Sequence, residues 1–306
     1  MRLAYLECFA GAAGDMFQGA LLDAGVPAVV LKDAVRALNI GASLRIEKVD
    51  RSGITATKVH VLDHGRVADA GESSHTELPH QHELSHSHAP KTQHLHKGGH
   101  HPDANTHEHT HEHEHTHSRS LTEIRRLISE APLDSRVQHL ALRTFELLGA
   151  AEAKIHNVPV DAIHFHEVGA VDAIVDIVAS CAGIVHLNIG RWHSSPLNVG
   201  GGMIDCAHGR FPVPAPATAE LLRGMPTYSA HIENELLTPT GAALLRALEP
   251  TFGPQPAMRI DQIGYGAGMR NPSGFPNVLR LTIGESSANQ PTATHLTDEV
   301  IVLETA

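Results

Sequence analysis

At 306 residues, 42% hydrophobic and 19% charged, the chain is long enough to bury one large core or two modest ones. Its formal net charge of -11, with acidic and basic residues interspersed outside one insert, gives nucleic acid or an anionic membrane surface nothing to hold, and no apolar run reaches transmembrane length. Three cysteines, Cys8, Cys181 and Cys206, without CxxC spacing, argue against a disulfide framework. They fit a reducing cytoplasm, as does a start at Met1 that turns acidic by Glu7, too soon for a signal peptide.

In chain order, residues 1–65 read as an N-terminal α/β segment. It holds a strand over Leu3–Glu7, a glycine-rich turn, a helix over about Asp15–Ala24, a second helix opened by Pro27, and strands near Ser43–Val49 and Thr55–Leu62. Residues 66–118 lose all hydrophobic periodicity. Fifteen histidines fall in the forty-three residues from His75 to His117, ending in the alternation His107, His109, His111, His113, His115, His117. A stretch this polar cannot bury enough surface to offset its ordering entropy, so disorder is expected without metal. Neutral imidazole is the usual protein ligand for nickel, zinc, copper and cobalt, so the composition is that of a metal-binding insert. The plain alternative is a solvated polar loop; an expression tag is disfavoured because the run is internal and irregular.

Residues 119–285 read as a second α/β segment packing with the first. Ser120-Leu-Thr-Glu123 has capping-box spacing, and the helix after Asp134 carries Val137, Leu140, Ala141, Phe145 and Leu148 on one face. A nearly all-apolar helix over about Val168–His186 should be buried. A short helix near Ala217–Leu222, a helix started by Thr238-Pro239, and strands near Met258–Ile263 and Val278–Ile283 follow. The fold class is α/β or α+β, mixed helices and strands interrupted by the disordered His-rich insert, with residues 286–306 a tail. Strand order is not legible.

Several segments suit chemistry. Cys8-Phe-Ala-Gly11-Ala-Ala-Gly14-Asp15 joins the first strand to the first helix, where glycines and a helix N-terminus favour an anion. It is neither a Walker loop nor a GxGxxG, and Asp15 has N-capping as its structural alternative. In His164-Phe165-His166-Glu167, extended backbone would put both imidazoles on one side. Asp172 and Asp176 share a helical face, which needs a cation, a basic partner or hydrogen bonds in compensation. Gly200-Gly201-Gly202 through Cys206, His208 and Arg210 offers metal ligands and an anion grip, or a structural turn. Thr238 and Thr240 stand at a helix N-terminus, and Gly264–Arg270 reads as a glycine loop.

Taken together, Glu7-Cys8-Phe9-Ala-Gly11-Ala-Ala-Gly14-Asp15-Met16, the His-rich insert, Phe165-His166-Glu167-Val168-Gly169-Ala170-Val171-Asp172, His208-Gly209-Arg210-Phe211-Pro212-Val213-Pro214, Leu237-Thr238-Pro239-Thr240-Gly241 and Gly264-Tyr265-Gly266-Ala267-Gly268 resemble the LarC family of nickel-insertion proteins. The resemblance runs in matching order from residue 1 to about 283; Glu7 stands where that family often carries Asp. It implies a CTP-dependent nickel cyclometallase acting on pyridinium-3,5-bisthiocarboxylic acid mononucleotide, whose product serves lactate racemase and related enzymes. It also implies a C-terminal domain holding CTP and a divalent metal beyond Leu303-Glu304-Thr305-Ala306, and leaves a separate partner or a homo-oligomer open. Asp15, His166, Glu167 and Asp172 are then expected to be catalytic. Gly11, Gly14, Gly201, Arg210, Thr238 and Thr240 are expected to bind the cofactor precursor, and His164, His166, His208 and the six alternating histidines to bind metal. The competing classes are a nickel store or metallochaperone without catalysis, and a hydrolase of a phosphorylated substrate at Gly14-Asp15.

Overall fold

The computed structural model describes residues 1–68, 119–165, 170–206 and 209–287. Residues 69–118, with all the histidines of the expected insert, therefore lie outside the described residues, as do His166, Glu167, His208 and the tail from residue 288, whereas Arg66 and Val67 at the start of that insert form a short strand. Before the insert come β1 (Arg2–Glu7), α1 (Gly14–Asp23), α2 (Ala28–Ala37), β2 (Ala42–Arg51), β3 (Ile54–Asp63) and β4 (Arg66–Val67). After it come β5 (Arg119–Ser120), α3 (Leu121–Glu130), α4 (Ser135–His156), β6 (His164–Phe165) and α5 (Val171–Leu187). The next elements are β7 (Arg191–Ser194), β8 (Leu197–Asn198), β9 (Met203–Cys206), β10 (Gly209–Pro212), α6 (Pro216–Leu221) and β11 (Thr227–Tyr228). The described chain closes with α7 (Pro239–Leu248), β12 (Thr251–Phe252), β13 (Met258–Ala267) and β14 (Val278–Ser286).

Local chemistry starts several helices where the sequence places them. Ser120 and Glu123 complete a reciprocal capping box at α3, Asp134 accepts from the Arg136 amide at α4, and Pro239 follows the Thr238 cap at α7. The apolar helix α5 is buried along nearly its whole length, as its composition demands.

One mixed sheet organises the molecule, in the order β12-β7-β1-β14-β13-β3-β2, with β4 paired to β3. The strand β1, all apolar between its ends, lies between parallel β7 and antiparallel β14. Residues before and after the insert thus interleave in a single sheet over a common core. The fold is mixed α/β.

Of the expected glycine loop Gly264–Arg270, the first four residues are strand, and only Gly268–Arg270 lie beyond it. Strand β13 continues through Tyr265 and Gly266 to Ala267, four residues beyond the expected end at Ile263. The glycines are there because α1 lies directly on the strand. A Cβ on Gly266 would sit 1.8 Å from the Met16 carbonyl oxygen, and one on Gly264 would sit 2.1 Å from that of Ala20. On the helix side, Gly19 meets the Thr57 carbonyl in the same way, at 2.2 Å. Helix and sheet touch backbone to backbone.

Asp23 ties the far end of α1 to the same strands. Its carboxylate accepts from Lys48 on β2, from the Thr57 hydroxyl on β3 at 2.9 Å, and from the Tyr265 amide on β13 at 2.8 Å. Burial, the largest single influence, pushes its pKa up, but the hydrogen bonds from Lys48, Tyr265 and Thr57 together hold it below the ordinary range.

Two outcomes follow. Gly266→Ala should lower stability by about 2–3 kcal/mol through overpacking, read as a shift in the urea midpoint at unchanged slope. Because Asp23 has a folded pKa below its unfolded one, its contribution is present above roughly pH 4 and disappears as pH falls through the folded value. Asp23→Asn should therefore be less stable than the parent by about 1–2 kcal/mol near pH 7, with the difference shrinking as pH falls below about 4, measured by thermal unfolding.

Candidate functional site

Strands β1 and β7 run parallel, and β13 runs parallel to β1 because both are antiparallel to β14. Their carboxyl ends, Glu7, Ser194 and Ala267, therefore lie along one edge of the sheet. Loops leaving those ends are where open α/β sheets place ligands.

Asn198, on the segment after β7, fastens the loop after β1 to the segment after β11. It is fully buried, and its side-chain amide donates to the carbonyls of Phe9 (2.8 Å) and Ala230 (3.0 Å). Its oxygen accepts from the amides of Gly200 and Ala230, both at 3.1 Å. Every polar atom of that side chain is used. Gly11, at φ 71°, tucks under the Leu236 carbonyl, to which Ala12 donates at 3.2 Å. Thr238 in turn donates its amide to Ala12 at 3.1 Å, and Gly241 leaves room for that same carbonyl. The start of α7 is thereby pressed against the loop that starts α1.

Helix α1 begins at Gly14 behind Ala13, which supplies no side-chain cap. Asp15 sits in the first turn and is not the cap. Its carboxylate is ion-paired to Lys58 of β3, a lysine with 2% exposure. Removing either partner would leave a charge buried without compensation. Beside them, Asp176 of α5 fills the space a Cβ on Gly14 would need, and accepts from the fully buried Gln18 at 2.6 Å. Gln18 Oε1 has no hydrogen-bond partner among the described residues. Ser180 donates to the Gly14 carbonyl at 3.3 Å. Part of the compensation that the Asp172/Asp176 face requires is the Gln18 amide on Asp176. Asp172 lies half-buried in the first turn of α5, where the helix dipole favours a carboxylate.

The remaining expected residues are spread more widely. His164 is exposed on β6, paired in register with Ser120, while the next residue, Phe165, is buried with its ring 6.4 Å from that of Phe145. Side chains alternate there as extended backbone requires. Thr238 Oγ1 accepts from the Gly241 amide at 3.3 Å and lies 3.0 Å from Thr240 Oγ1. Gly201 donates to Asn234 at 3.2 Å. Arg210 is exposed on β10, 4.0 Å from Asp205 on the neighbouring strand. The structure thus brings Gly11, Gly14, Asp15, Thr238 and Thr240 to one loop cluster.

Sequence reasoning missed Lys58, Gln18 and the part played by Asn198. Lys58 stands in a β-strand with Ala56 and His60 two residues either side, the pattern of a solvent-facing position. In the fold it is buried with its neighbours Ala56, Thr57 and Val59 and meets Asp15.

No disulfide joins Cys8, Cys181 and Cys206. Burial drives the Cys8 thiol up to about 12 against a hydrogen bond with Ser194, and the Cys181 thiol also to about 12. Neither is a ready thiolate. Among the described residues no group of three His, Cys, Asp or Glu is placed to hold a metal, and no helix is long and apolar enough to cross a membrane. Iodoacetamide at about pH 8 should alkylate half-buried Cys206 in the native protein and spare Cys8 and Cys181 until unfolding, as read by peptide mass spectrometry. Early modification of Cys8 would contradict its burial.

Comparison with known proteins adds the following. The family described as "Nickel insertion protein" matches residues 4–306. The pyridinium-3,5-bisthiocarboxylic acid mononucleotide nickel insertion protein of Geobacillus kaustophilus is 39% identical over 99% of this chain and 65% of its own length. Those of a Nocardioides species and of Desulfitobacterium hafniense are 42% and 40% identical, each over 93% of this chain and over 60% and 59% of their own lengths. The chain thus spans about three fifths to two thirds of these relatives. No solved structure matches.

Proposed function

The chain belongs to the nickel insertion protein family, and on that premise we propose that it inserts Ni(II) into pyridinium-3,5-bisthiocarboxylic acid mononucleotide, as a nickel cyclometallase working in the cytoplasm. The product is the nickel-pincer cofactor of lactate racemase and related enzymes. The observation that carries this reading is the correspondence, along the whole chain, with relatives that bear that substrate in their name. The loop cluster supports it, since a mononucleotide needs an anion cradle and the start of α1 supplies backbone amides with no side-chain cap.

Nickel is a substrate here. Forming one Ni–C and two Ni–S bonds leaves the metal as Ni(II) and requires the ring C–H to lose its proton to a base. Asp15 is the carboxylate we assign to that proton, with Lys58 holding its charge in place. Asp172 supports the same site from the first turn of α5. His164, His166 and Glu167 present the ion, His208 joins them, and the histidines of the insert, His107 to His117 among them, collect it. Gly11, Gly14, Gly201, Arg210, Thr238 and Thr240 hold the precursor. CTP and its divalent metal belong, on this reading, to a C-terminal domain of the longer relatives. The β1–α1 turn lacks the Gly-Lys-Ser/Thr of a triphosphate loop, and Lys58 is committed to Asp15. No step is assigned to the nucleotide here.

A nickel store without chemistry is the second reading, favoured by the fifteen histidines. One anaerobic assay separates them: Ni(II), CTP and the precursor, with a C-terminal domain supplied, followed by mass spectrometry. The parent chain should yield precursor plus one nickel less the displaced protons, and removal of residues 66–118 should spare the yield at high nickel. Asp15→Asn and His166→Ala should each lower the rate about a hundredfold or more. Full rates in both variants would sink the site; no nickel-bearing product from the parent would sink the reading.

A further inference from the structure

We propose that Phe9, Phe275 and His231 form a stacking platform for the ring of a pyridinium mononucleotide, with Arg270 beside it for an anionic substituent. This rests on the function proposed above and says where in the fold its substrate sits. The three rings come from three different loops. Phe9 follows β1, Phe275 lies in the turn between β13 and β14, and His231 lies between β11 and α7. Phe9 meets Phe275 edge to face, with centroids 6.3 Å apart and planes at 80°, while His231 lies 5.6 Å from Phe275 at 32°.

The loops are held in register before any ligand arrives. Asn198 bonds both Phe9 and Ala230, the residue before His231. The turn that carries Phe275 is closed by Gly268 donating to the Asn277 carbonyl at 3.1 Å and by Asn277 Nδ2 donating to that of Arg270 at 3.0 Å. Arg270 Nη1 then donates to the Glu235 carbonyl at 3.0 Å, which ties this turn to the segment bearing His231. Such preorganisation lowers the entropy a ligand must remove.

Packing alone does not account for the rings. Phe9 rests on a small cluster of Ala56, Ala267 and Val278 that is separate from the main core. His231 is exposed and adopts φ 76°, a left-handed backbone uncommon outside glycine. An exposed imidazole held at such a backbone, against a half-buried phenylalanine, suits recognition more than stability. A pyridinium ring is cationic and electron-poor, so it is drawn to aromatic faces, and the exposed Arg270 guanidinium suits a carboxylate, thiocarboxylate or phosphate on the same ligand.

The probe is nicotinic acid mononucleotide, a pyridinium mononucleotide with one carboxylate, titrated into the full chain by calorimetry. Saturable binding is expected, weakened about tenfold in His231→Asn and in Phe275→Leu, the range of one lost stacking contact. Asparagine tolerates the left-handed backbone, so His231→Asn removes the ring without adding strain. Arg270→Gln should weaken binding likewise. Equal affinity in all three variants, or no binding by the parent chain, overturns the platform. If these variants bind the probe like the parent and still transfer nickel, only the platform falls. If ring-dependent binding is found in a chain that never transfers nickel, the platform stands and the function falls.

Discussion

The close seating of α1 on the sheet is the constraint from which the rest of the molecule follows. Gly264 and Gly266 on β13 and Gly19 on the helix let the two backbones come into direct contact. A helix that touches a strand this closely has little freedom to slide, since any Cβ would collide with a carbonyl. Both ends of α1 are thereby fixed. Its C-terminal end is bonded through Asp23 to three strands, and its N-terminal end carries Asp15 to the buried Lys58.

Charge is managed by the same geometry. Asp15, Asp23 and Asp176 all lie on or against α1, and each has a named partner: Lys58, Lys48 with two neutral donors, and Gln18. Carboxylates brought this near to an apolar core are tolerable only when compensated. Helix α5 adds the complementary constraint, because Asp176 occupies the space left by the missing side chain of Gly14. Glycine at position 14 is needed for helix crossing as much as for an anion. The two roles are compatible, since the crossing fixes where the first amides of α1 point.

Much of the secondary structure was legible. Strand β1, the capping box of α3, the Asp134 start of α4, the buried α5 and the Pro239 start of α7 all follow from local pattern and cap chemistry. The glycines of β13 misled, because a strand that receives a helix backbone has the composition of a loop. At the site, the glycine turn after β1 was visible and its partners were not. Lys58 lies 43 positions from Asp15, and Asn198 lies 189 from Phe9; neither pairing has a local signal.

By itself, then, the sequence determined the elements, the mixed α/β class, the lack of a disulfide framework and the family, because periodicity, caps, cysteine spacing and ordered motifs are encoded within a few turns of chain. It also marked the histidine-rich segment by composition alone. Only the tertiary structure decided that residues on both sides of that segment share one sheet, that Asp15 is held by Lys58, and that Asn198, on the segment after β7, joins the loop after β1 to the segment after β11. Those facts depend on strand order and on contacts between residues far apart in the chain. Nothing in a local pattern specifies which distant backbone will lie 4.8 Å or so away in the sheet.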